Sequence, residues 1–150
     1  MAEQRNESQN VRDIMTPNPR CVTEKDSVLE VARIMRDQDT GVIPVVDGRK
    51  IIGLVTDRDI VLRAVAGGKD INGCHVNEVM TRQVRSVSED ASVREVLDVM
   101  SNAQIRRVPV VNRNNELVGI VSMKDLATET GATDKVGKAV EEISEGPSNN

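Results

Sequence analysis

Two short segments place a hydroxyl and a carboxylate at a spacing that suits ligand binding. They are Gly53–Asp59, the first closing motif, and Gly119–Asp125, the second closing motif. In the first, Thr56 stands three residues before Asp59, and in the second, Ser122 stands three residues before Asp125. A glycine and a short aliphatic run precede each hydroxyl, which predicts a strand that leads into the first turn of a helix.

The beginning of a helix has unpaired N–H groups and the positive end of the helix dipole. A hydroxyl and a carboxylate at that point therefore fit an anionic ligand that carries hydroxyl groups, such as a ribose phosphate. The alternative is a capping box, in which the same two side chains bond to the backbone of the helix itself. Ser27–Glu30 and Ser92–Glu95 have a similar spacing. The spacing alone leaves both interpretations open.

Basic residues accompany the two motifs. Arg58 lies inside the first and Lys124 inside the second, and each brings a cation that can meet a phosphate. Arg106 and Arg107 precede a strand whose earlier counterpart follows Gly41–Val42. Because adjacent residues on a strand face opposite sides, only one of the two arginines can face a given cleft. The alternative is that both are solvated charges at a strand edge.

Composition limits the class of partner. The 150 residues include 20 basic and 24 acidic side chains, a net charge of −4, and no Phe, Tyr or Trp. Neither a basic footprint nor aromatic stacking platforms are available, which argues against nucleic acid as a partner. No apolar run is long enough to span a bilayer, and the N-terminus lacks the apolar core of a signal peptide. We therefore expect a cytoplasmic protein with no membrane partner.

The sequence favours neither catalysis nor metal binding. His75 is the single histidine and follows Cys74, but neighbours in sequence rarely have the geometry of a nucleophile and its base. Cys21 and Cys74 lack a metal-ligand spacing and are expected to be reduced thiols. Neither a Walker loop nor a GxGxxG pattern occurs. The prediction is a protein without catalytic residues, metal site or cofactor.

An internal repeat organises the chain. Val11–Val46 aligns with Val76–Val111 at a constant offset of 65, with 14 of 36 positions identical. The two closing motifs align after one extra residue in the second copy. The predicted divisions are a flexible N-terminus (1–10), repeat 1 (11–68), a linker (69–75), repeat 2 (76–129), and a C-terminal helix and tail (130–150).

Each repeat predicts the same order of elements, β-α-β-β-α, after an opening helical turn. Ser27 and Ser92 are predicted N-caps of the first helices, and Asp47–Gly48 and Asn112–Glu116 are predicted hairpin turns. The core-facing side of these helices is predicted to be Val28, Val31, Ile34 and Met35, and Val93, Val96, Leu97 and Met100. The predicted strands are Arg20–Thr23, Val42–Val46, Ile51–Thr56, Arg85–Ser88, Val108–Val111 and Leu117–Ser122, and the second helices Asp57–Ala66 and Met123–Glu129.

One such α/β unit leaves apolar surface uncovered, because about sixty residues make only a marginal core. We therefore expect the tandem repeats to pack as a pseudo-twofold pair, with the closing motifs in two related clefts. Beyond the repeats, a narrow apolar stripe of Val136, Val140 and Ile143 predicts a C-terminal helix. We expect this stripe to pack against a partner surface.

In combination, these motifs resemble the CBS-domain pair, also called a Bateman module, over residues 11–129. Besides the closing motifs, the segments that carry the resemblance are Asp13–Pro17, Glu78–Thr81, Ile43–Val46 and Val108–Val111. The resemblance implies a stand-alone regulatory module that binds an adenosine-containing ligand between the repeats. The implied ligands are AMP, ADP, ATP, NAD and S-adenosylmethionine, each as a regulatory ligand.

The resemblance also implies roles for particular residues. Thr56 and Ser122 would contact phosphate, while Asp59 and Asp125 would contact the ribose hydroxyls. The adenine would lie against Ile43 and Pro44, or Val108 and Pro109, and against the opening strand near Cys21 and Val22, or Ser86 and Val87.

Another interpretation belongs to a different class of protein. The chain could be a ligand-free interaction protein or a thiol-responsive stress protein in which Cys21 is the sensor, since the second repeat has Ser86 in its place. In either case we expect a homodimer held by helices, because a chain of this size without aromatic residues has limited means to bury its apolar faces. An unidentified regulated protein is a further expected partner.

Overall fold

The computed structural model describes residues 9–130. The elements in chain order are a 3-10 turn (Val11–Asp13), β1 (Thr16–Pro17), α1 (Val28–Gln38), β2 (Val42–Asp47), β3 (Lys50–Thr56), α2 (Asp57–Asp59) continuing as a π-helix (Ile60–Val65), a 3-10 turn (Val76–Glu78), β4 (Val87–Ser88), α3 (Val93–Ala103), β5 (Arg107–Val111), β6 (Leu117–Ser122) and α4 (Met123–Thr130). The mixed α/β class predicted from the sequence is confirmed.

The chain forms two compact units whose boundaries differ from those of the sequence repeats. One is continuous in sequence, Arg20–Val84, and we call it the contiguous unit. The other, the split unit, combines residues 9–19 with residues 85–130. We name residues 11–19 and 76–84 the opening segments. Each opening segment therefore belongs to the unit that contains the other repeat's hairpin.

In the contiguous unit, a hairpin is extended on both edges. Strands β2 and β3 pair antiparallel, and Val22 adds a parallel bridge to Val45 on one side. On the other side Thr81 pairs with Leu54 through two backbone hydrogen bonds of 2.9 and 2.8 Å. The sequence predicted the hairpin and the strand near Val22. It did not predict that the opening segment of the second repeat would supply a fourth strand position.

The split unit has the same arrangement, with two-residue strands in place of the two single bridges. Its sheet has the order β1-β6-β5-β4, in which β4 runs parallel to β5 and the other pairs are antiparallel. Thr16 pairs with Ile120 and Pro17 with Gly119. The opening segment of the first repeat therefore forms the edge strand of a sheet built by the second.

Local capping signals fix the two long helices. The Ser27 side chain accepts a hydrogen bond from the Glu30 N–H, and that of Ser92 accepts one from the Glu95 N–H, as predicted. The helices end at Asp39 and Gln104, which adopt left-handed conformations with φ of 50° and 56°. The buried side chains are those of the predicted apolar faces: Val28, Val31, Ile34, Met35, Val93, Val96, Leu97 and Met100.

Two glycines allow the opening segments to reach their sheets. A Cβ atom at Gly53 would lie 2.6 Å from the carbonyl oxygen of Thr81, and one at Gly119 would lie 3.0 Å from that of Thr16. The side chains of Met80 and Met15 occupy the same space. The glycine that leads each closing motif is therefore required by the close approach of another backbone.

The segments before α1 and α3 are also tied down by hydrogen bonds. The Val93 N–H donates to the carbonyl of Gln9, which lies in the predicted N-terminal segment. In the other unit the Val28 N–H donates to the carbonyl of Cys74, which lies in the predicted linker. Cys74 is buried in the core of the contiguous unit. Both segments therefore help to hold the beginning of a helix.

The second helices begin at the predicted hydroxyls but differ in type. Met123–Thr130 is an α-helix, whereas Asp57–Asp59 is one α-helical turn that continues as a π-helix over Ile60–Val65. No helix among residues 9–130 is long and apolar enough to cross a membrane. The predicted C-terminal helix with Val136, Val140 and Ile143 lies outside the described residues.

Candidate functional site

Both closing motifs form reciprocal hydrogen bonds at the beginning of a helix. The Thr56 N–H donates to Asp59 Oδ2 at 3.0 Å, and the Asp59 N–H donates to Thr56 Oγ1 at 3.0 Å. The Ser122 N–H donates to Asp125 Oδ2 at 2.9 Å, and the Asp125 N–H donates to Ser122 Oγ at 3.0 Å. The capping interpretation therefore describes both motifs. It does not exclude a ligand, because a capping hydroxyl retains its proton and a carboxylate has about four lone-pair sites.

The alternation of side chains along the strands divides the predicted adenine contacts into two groups. One group points into the hydrophobic cores and consists of Val22, Ile43, Val87 and Val108. Ile43 is 1% exposed and Val108 is fully buried, while Val22 and Val87 are each less than one tenth exposed. Only the backbone of these four residues is therefore available on the opposite face of the sheet.

The second group lies on the sheet face away from the core. Pro44 pairs with Leu54, and Pro109 pairs with Ile120. Leu54 and Ile120 each lie two residues before the hydroxyl of a closing motif, so the prolines share a face with those hydroxyls. Cys21 and Ser86 each precede a core-facing valine but lie just outside the strands, so we expect rather than observe them on this face. Each unit thus has a proline on the same face as the hydroxyl of its closing motif, and both prolines are buried.

The register of the split unit resolves which of the two adjacent arginines accompanies the second closing motif. Arg107 is the cross-strand partner of Ser122. Residues directly opposite in an antiparallel pair have side chains on the same face, with Cβ atoms about 4.5–5.5 Å apart. Arg106 instead uses its carbonyl to accept a bond from the Met123 N–H at 2.8 Å, and its side chain is exposed. The cation beside Ser122 is therefore Arg107.

The contiguous unit has no cation at the equivalent position. Val42 is the cross-strand partner of Thr56. The carbonyl of Gly41 accepts a bond from the Asp57 N–H at 2.9 Å, and a Cβ at Gly41 would lie 2.8 Å from Asp57 Oδ2. Gly41 is the counterpart of Arg106, and a larger residue here would require the end of the Asp57 side chain to move aside. Arg58 and Lys124 are exposed in the first turns of their helices.

The carboxylate of Asp59 has additional partners within the contiguous unit. The Thr81 hydroxyl donates to Asp59 Oδ1 at 3.2 Å and to Oδ2 at 3.3 Å. Arg63 Nε lies 3.9 Å from Oδ1, and the Asp59 side chain is only 11% exposed. Neither Thr81 nor Arg63 was predicted from the sequence to be a site residue. The repeated Met-Thr pair of the opening segments was a signal for Thr81, whereas no pattern pointed to Arg63.

The two cysteines lie in environments that disfavour the thiolate. Partial burial raises the pKa of the Cys21 thiol, opposed by nearby Arg20 and reinforced by Asp26. Burial likewise raises the pKa of Cys74, with a further contribution from Glu78. Within residues 9–130, no group of three or more His, Cys, Asp or Glu side chains is placed to hold a metal ion.

The sequence matches the family profile of the CBS domain twice, over residues 11–65 and 76–130. The chain belongs to the CBS-domain family. It is a tandem pair of CBS domains, each with one closing motif, as the resemblance in the sequence indicated.

Several relatives match this chain over most of their own length. The uncharacterized protein YlbB of Bacillus subtilis is 44% identical over 138 residues, which cover 91% of this chain and 92% of the relative. The crystal structure of Hypoxic Response Protein I with two coordinated zinc ions has 38% identity and a TM-score of 0.74, and covers 80% of this chain and 98% of that one. The protein of that name from Mycobacterium tuberculosis is 39% identical over 117 residues, which cover 77% of this chain and 81% of the relative.

Similar solved structures include a CBS pair with bound adenosine compounds. The CBS domain pair of protein MJ0100, in complex with 5′-methylthioadenosine and S-adenosyl-L-methionine, is 33% identical to this CBS pair. Its TM-score is 0.71, and the match covers 82% of this chain and 96% of that one.

Proposed function

We propose that this CBS pair is a cytoplasmic, non-catalytic regulatory module that binds an adenosine-containing ligand at the second closing motif. The observation that carries this assignment is the cross-strand pair of Arg107 and Ser122, with Asp125 one helical turn away. A cation, a hydroxyl and a carboxylate on one face match a phosphate next to a ribose. The adenosine ligands of the MJ0100 pair support the same ligand class.

Each group has a distinct chemical task in this proposal. The Asp125 carboxylate accepts hydrogen bonds from the two ribose hydroxyls, which no neutral side chain would do as strongly. Ser122 and Arg107 contact the phosphate, and Lys124 adds positive charge from the first turn of α4. Pro109 and Ser86 contact the adenine on the same face of the sheet.

The first closing motif is the second candidate, with Thr56 and Asp59 in the equivalent roles and Arg58 as its cation. It presents Pro44 and Cys21 on its face, but Val42 stands where the other unit has Arg107. We therefore expect weaker binding of phosphate at this motif.

Isothermal titration calorimetry with AMP, ADP, ATP, NAD and S-adenosylmethionine tests the assignment. We expect at least one of them to bind, and Asp125→Ala to cost about 1.5–3 kcal/mol of binding free energy, since charged hydrogen bonds to the ribose are lost. A matched Asp59→Ala variant reports on the first motif. If none of the five ligands binds to the folded protein, the proposed function is wrong.

We propose further that the protein is a homodimer in which the π-helix of one copy packs on that of another. Val61, Leu62 and Val65 are 55%, 50% and 64% exposed on this one helix. The second repeat has Ala127, Thr128 and Gly131 at these positions, so the apolar stripe belongs to the first repeat alone. Twofold symmetry would place the same three side chains against each other, which is the usual form of a dimer interface.

A further inference from the structure

Asp59 and Thr81 form a contact that joins a closing motif to an opening segment. The Thr81 hydroxyl lies within hydrogen-bonding distance of both carboxylate oxygens of Asp59, at 3.2 and 3.3 Å. Asp59 Oδ2 also accepts the bond from the Thr56 N–H. The Thr81 hydroxyl therefore takes up part of the acceptor capacity that the ribose hydroxyls would use, and the Asp59 side chain is only 11% exposed.

The backbone around Thr81 keeps this hydroxyl in place. The N–H and C=O groups of Thr81 both pair with Leu54, at 2.8 and 2.9 Å. Arg63 Nη1 donates to the carbonyls of Val79 and Met80, at 3.2 and 3.0 Å. The opening segment is thus fixed at Thr81 and at the two residues before it, and the Asp59 side chain retains little access to solvent.

The split unit has the same backbone arrangement without this contact. Thr16 pairs with Ile120 as Thr81 pairs with Leu54. Among the described residues, however, the hydrogen bond to the Asp125 carboxylate comes from the Ser122 N–H, with none from the Thr16 hydroxyl. The position of Arg63 is taken in the second repeat by Glu129, a residue that has no proton to donate when ionised.

We infer that Thr81 is the residue that determines which closing motif takes the ligand: its hydroxyl substitutes for a ligand hydroxyl at Asp59 and directs the adenosine to Asp125. This inference rests on the proposed function. Asp59 then stabilises the contiguous unit through its contact with Thr81, and Asp125 binds the ligand.

The test measures AMP binding in an Asp125→Ala background, in which the first closing motif alone retains its carboxylate. We expect this variant to bind AMP weakly, and addition of Thr81→Val to raise its affinity about tenfold or more, because Asp59 regains a free acceptor. Thr81→Ser keeps the hydroxyl and should leave the affinity low. Thr16→Val is the matched control in the other opening segment and should also leave it low.

Two results would overturn the inference. The first is a folded Asp125→Ala, Thr81→Val protein, checked by circular dichroism, that binds AMP no better than Asp125→Ala. The second is a wild-type protein that binds two AMP molecules per chain and loses one of them on Asp59→Asn. The stoichiometry of the wild type decides the question even if Thr81→Val does not fold.

A measurement without ligand separates this inference from the proposed function. Urea unfolding of Thr81→Val, Asp59→Asn and the double variant forms a double-mutant cycle. We expect the loss in the double variant to be smaller than the sum of the two single losses, because both remove the same bond. Additive losses would overturn the Thr81–Asp59 contact, whereas a failure of AMP to bind the wild type would overturn the proposed function.

Discussion

Arg106 and Arg107 are adjacent in sequence but differ in their relation to Ser122. Only Arg107 is its cross-strand partner. We predict that Arg107→Gln weakens AMP binding about tenfold, because it removes a charge-assisted bond to the phosphate. Binding of 5′-methylthioadenosine, which has no phosphate, should not change. Calorimetry with both ligands measures the two affinities.

The neighbouring arginine supplies the control for that experiment. Arg106→Gln removes the same charge from the adjacent position. It therefore tests whether the loss of AMP affinity in Arg107→Gln comes from general electrostatic attraction. We expect its effect on AMP to be small and to vanish at high salt. Equal losses for both variants, or a parallel loss of 5′-methylthioadenosine, would contradict the assignment of Arg107 to the phosphate.

Cys21 is the sensor in the thiol-responsive alternative. Its pKa is raised chiefly by burial, so less thiolate is present at neutral pH than for an ordinary thiol. We predict that the alkylation rate of Cys21 by iodoacetamide is low at pH 7 and reaches half its maximum at a pH above the usual thiol pKa. Mass spectrometry after timed quenching gives the rates. A half-maximum below the usual pKa would restore the thiol hypothesis.

At the level of single residues, the sequence predicted the hydroxyl and carboxylate pairs, because their spacing is a local property of the beginning of a helix. It left the choice between Arg106 and Arg107 open, because that choice depends on the register of β5 against β6. It also named Val22, Ile43, Val87 and Val108 as ligand contacts, whose side chains the structure places in the cores. Their proposed role as binding residues is thus limited to the backbone.

Among the strands, the glycine that begins each closing motif lets an opening segment approach closely, because glycine has no side chain. We predict that Gly53→Ala lowers the free energy of unfolding by about 1–3 kcal/mol, because the new methyl group would overlap the Thr81 carbonyl and the Met80 side chain. Urea denaturation measures the change. Gly73→Ala is the control, since a Cβ there meets no atom within 4 Å. Equal stability of the two variants would contradict the close packing.

The elements were predicted well where local signals determine them. Ser27 and Ser92 fixed the beginnings of α1 and α3, and the Asp47–Gly48 turn fixed the first hairpin. The exchange of opening segments was not predicted, because it depends on pairs such as Thr16 with Ile120 that are far apart in sequence. The glycine at the head of each closing motif was the available signal, and it was interpreted as part of a strand only.

For the whole molecule, the exposed stripe on the π-helix leads to a prediction about assembly. We expect light scattering behind a sizing column to give the mass of two 16.4 kDa chains at micromolar concentration. Val65→Glu should shift this to one chain, because a buried charge without a partner opposes association. Gln38→Glu, an equal charge change on the exposed side of α1, should leave the dimer intact. A wild-type mass of one chain would contradict the dimer.

The exchange of opening segments also has a consequence for the order in which the protein is made. On the ribosome, the contiguous unit is complete once Val84 has emerged, and it can fold while the rest is still being synthesised. Residues 9–19 are synthesised earlier, yet their partner strand β6 emerges only after the contiguous unit is complete. This opening segment is therefore made before the contiguous unit but can pair with its strand only after that unit has been synthesised.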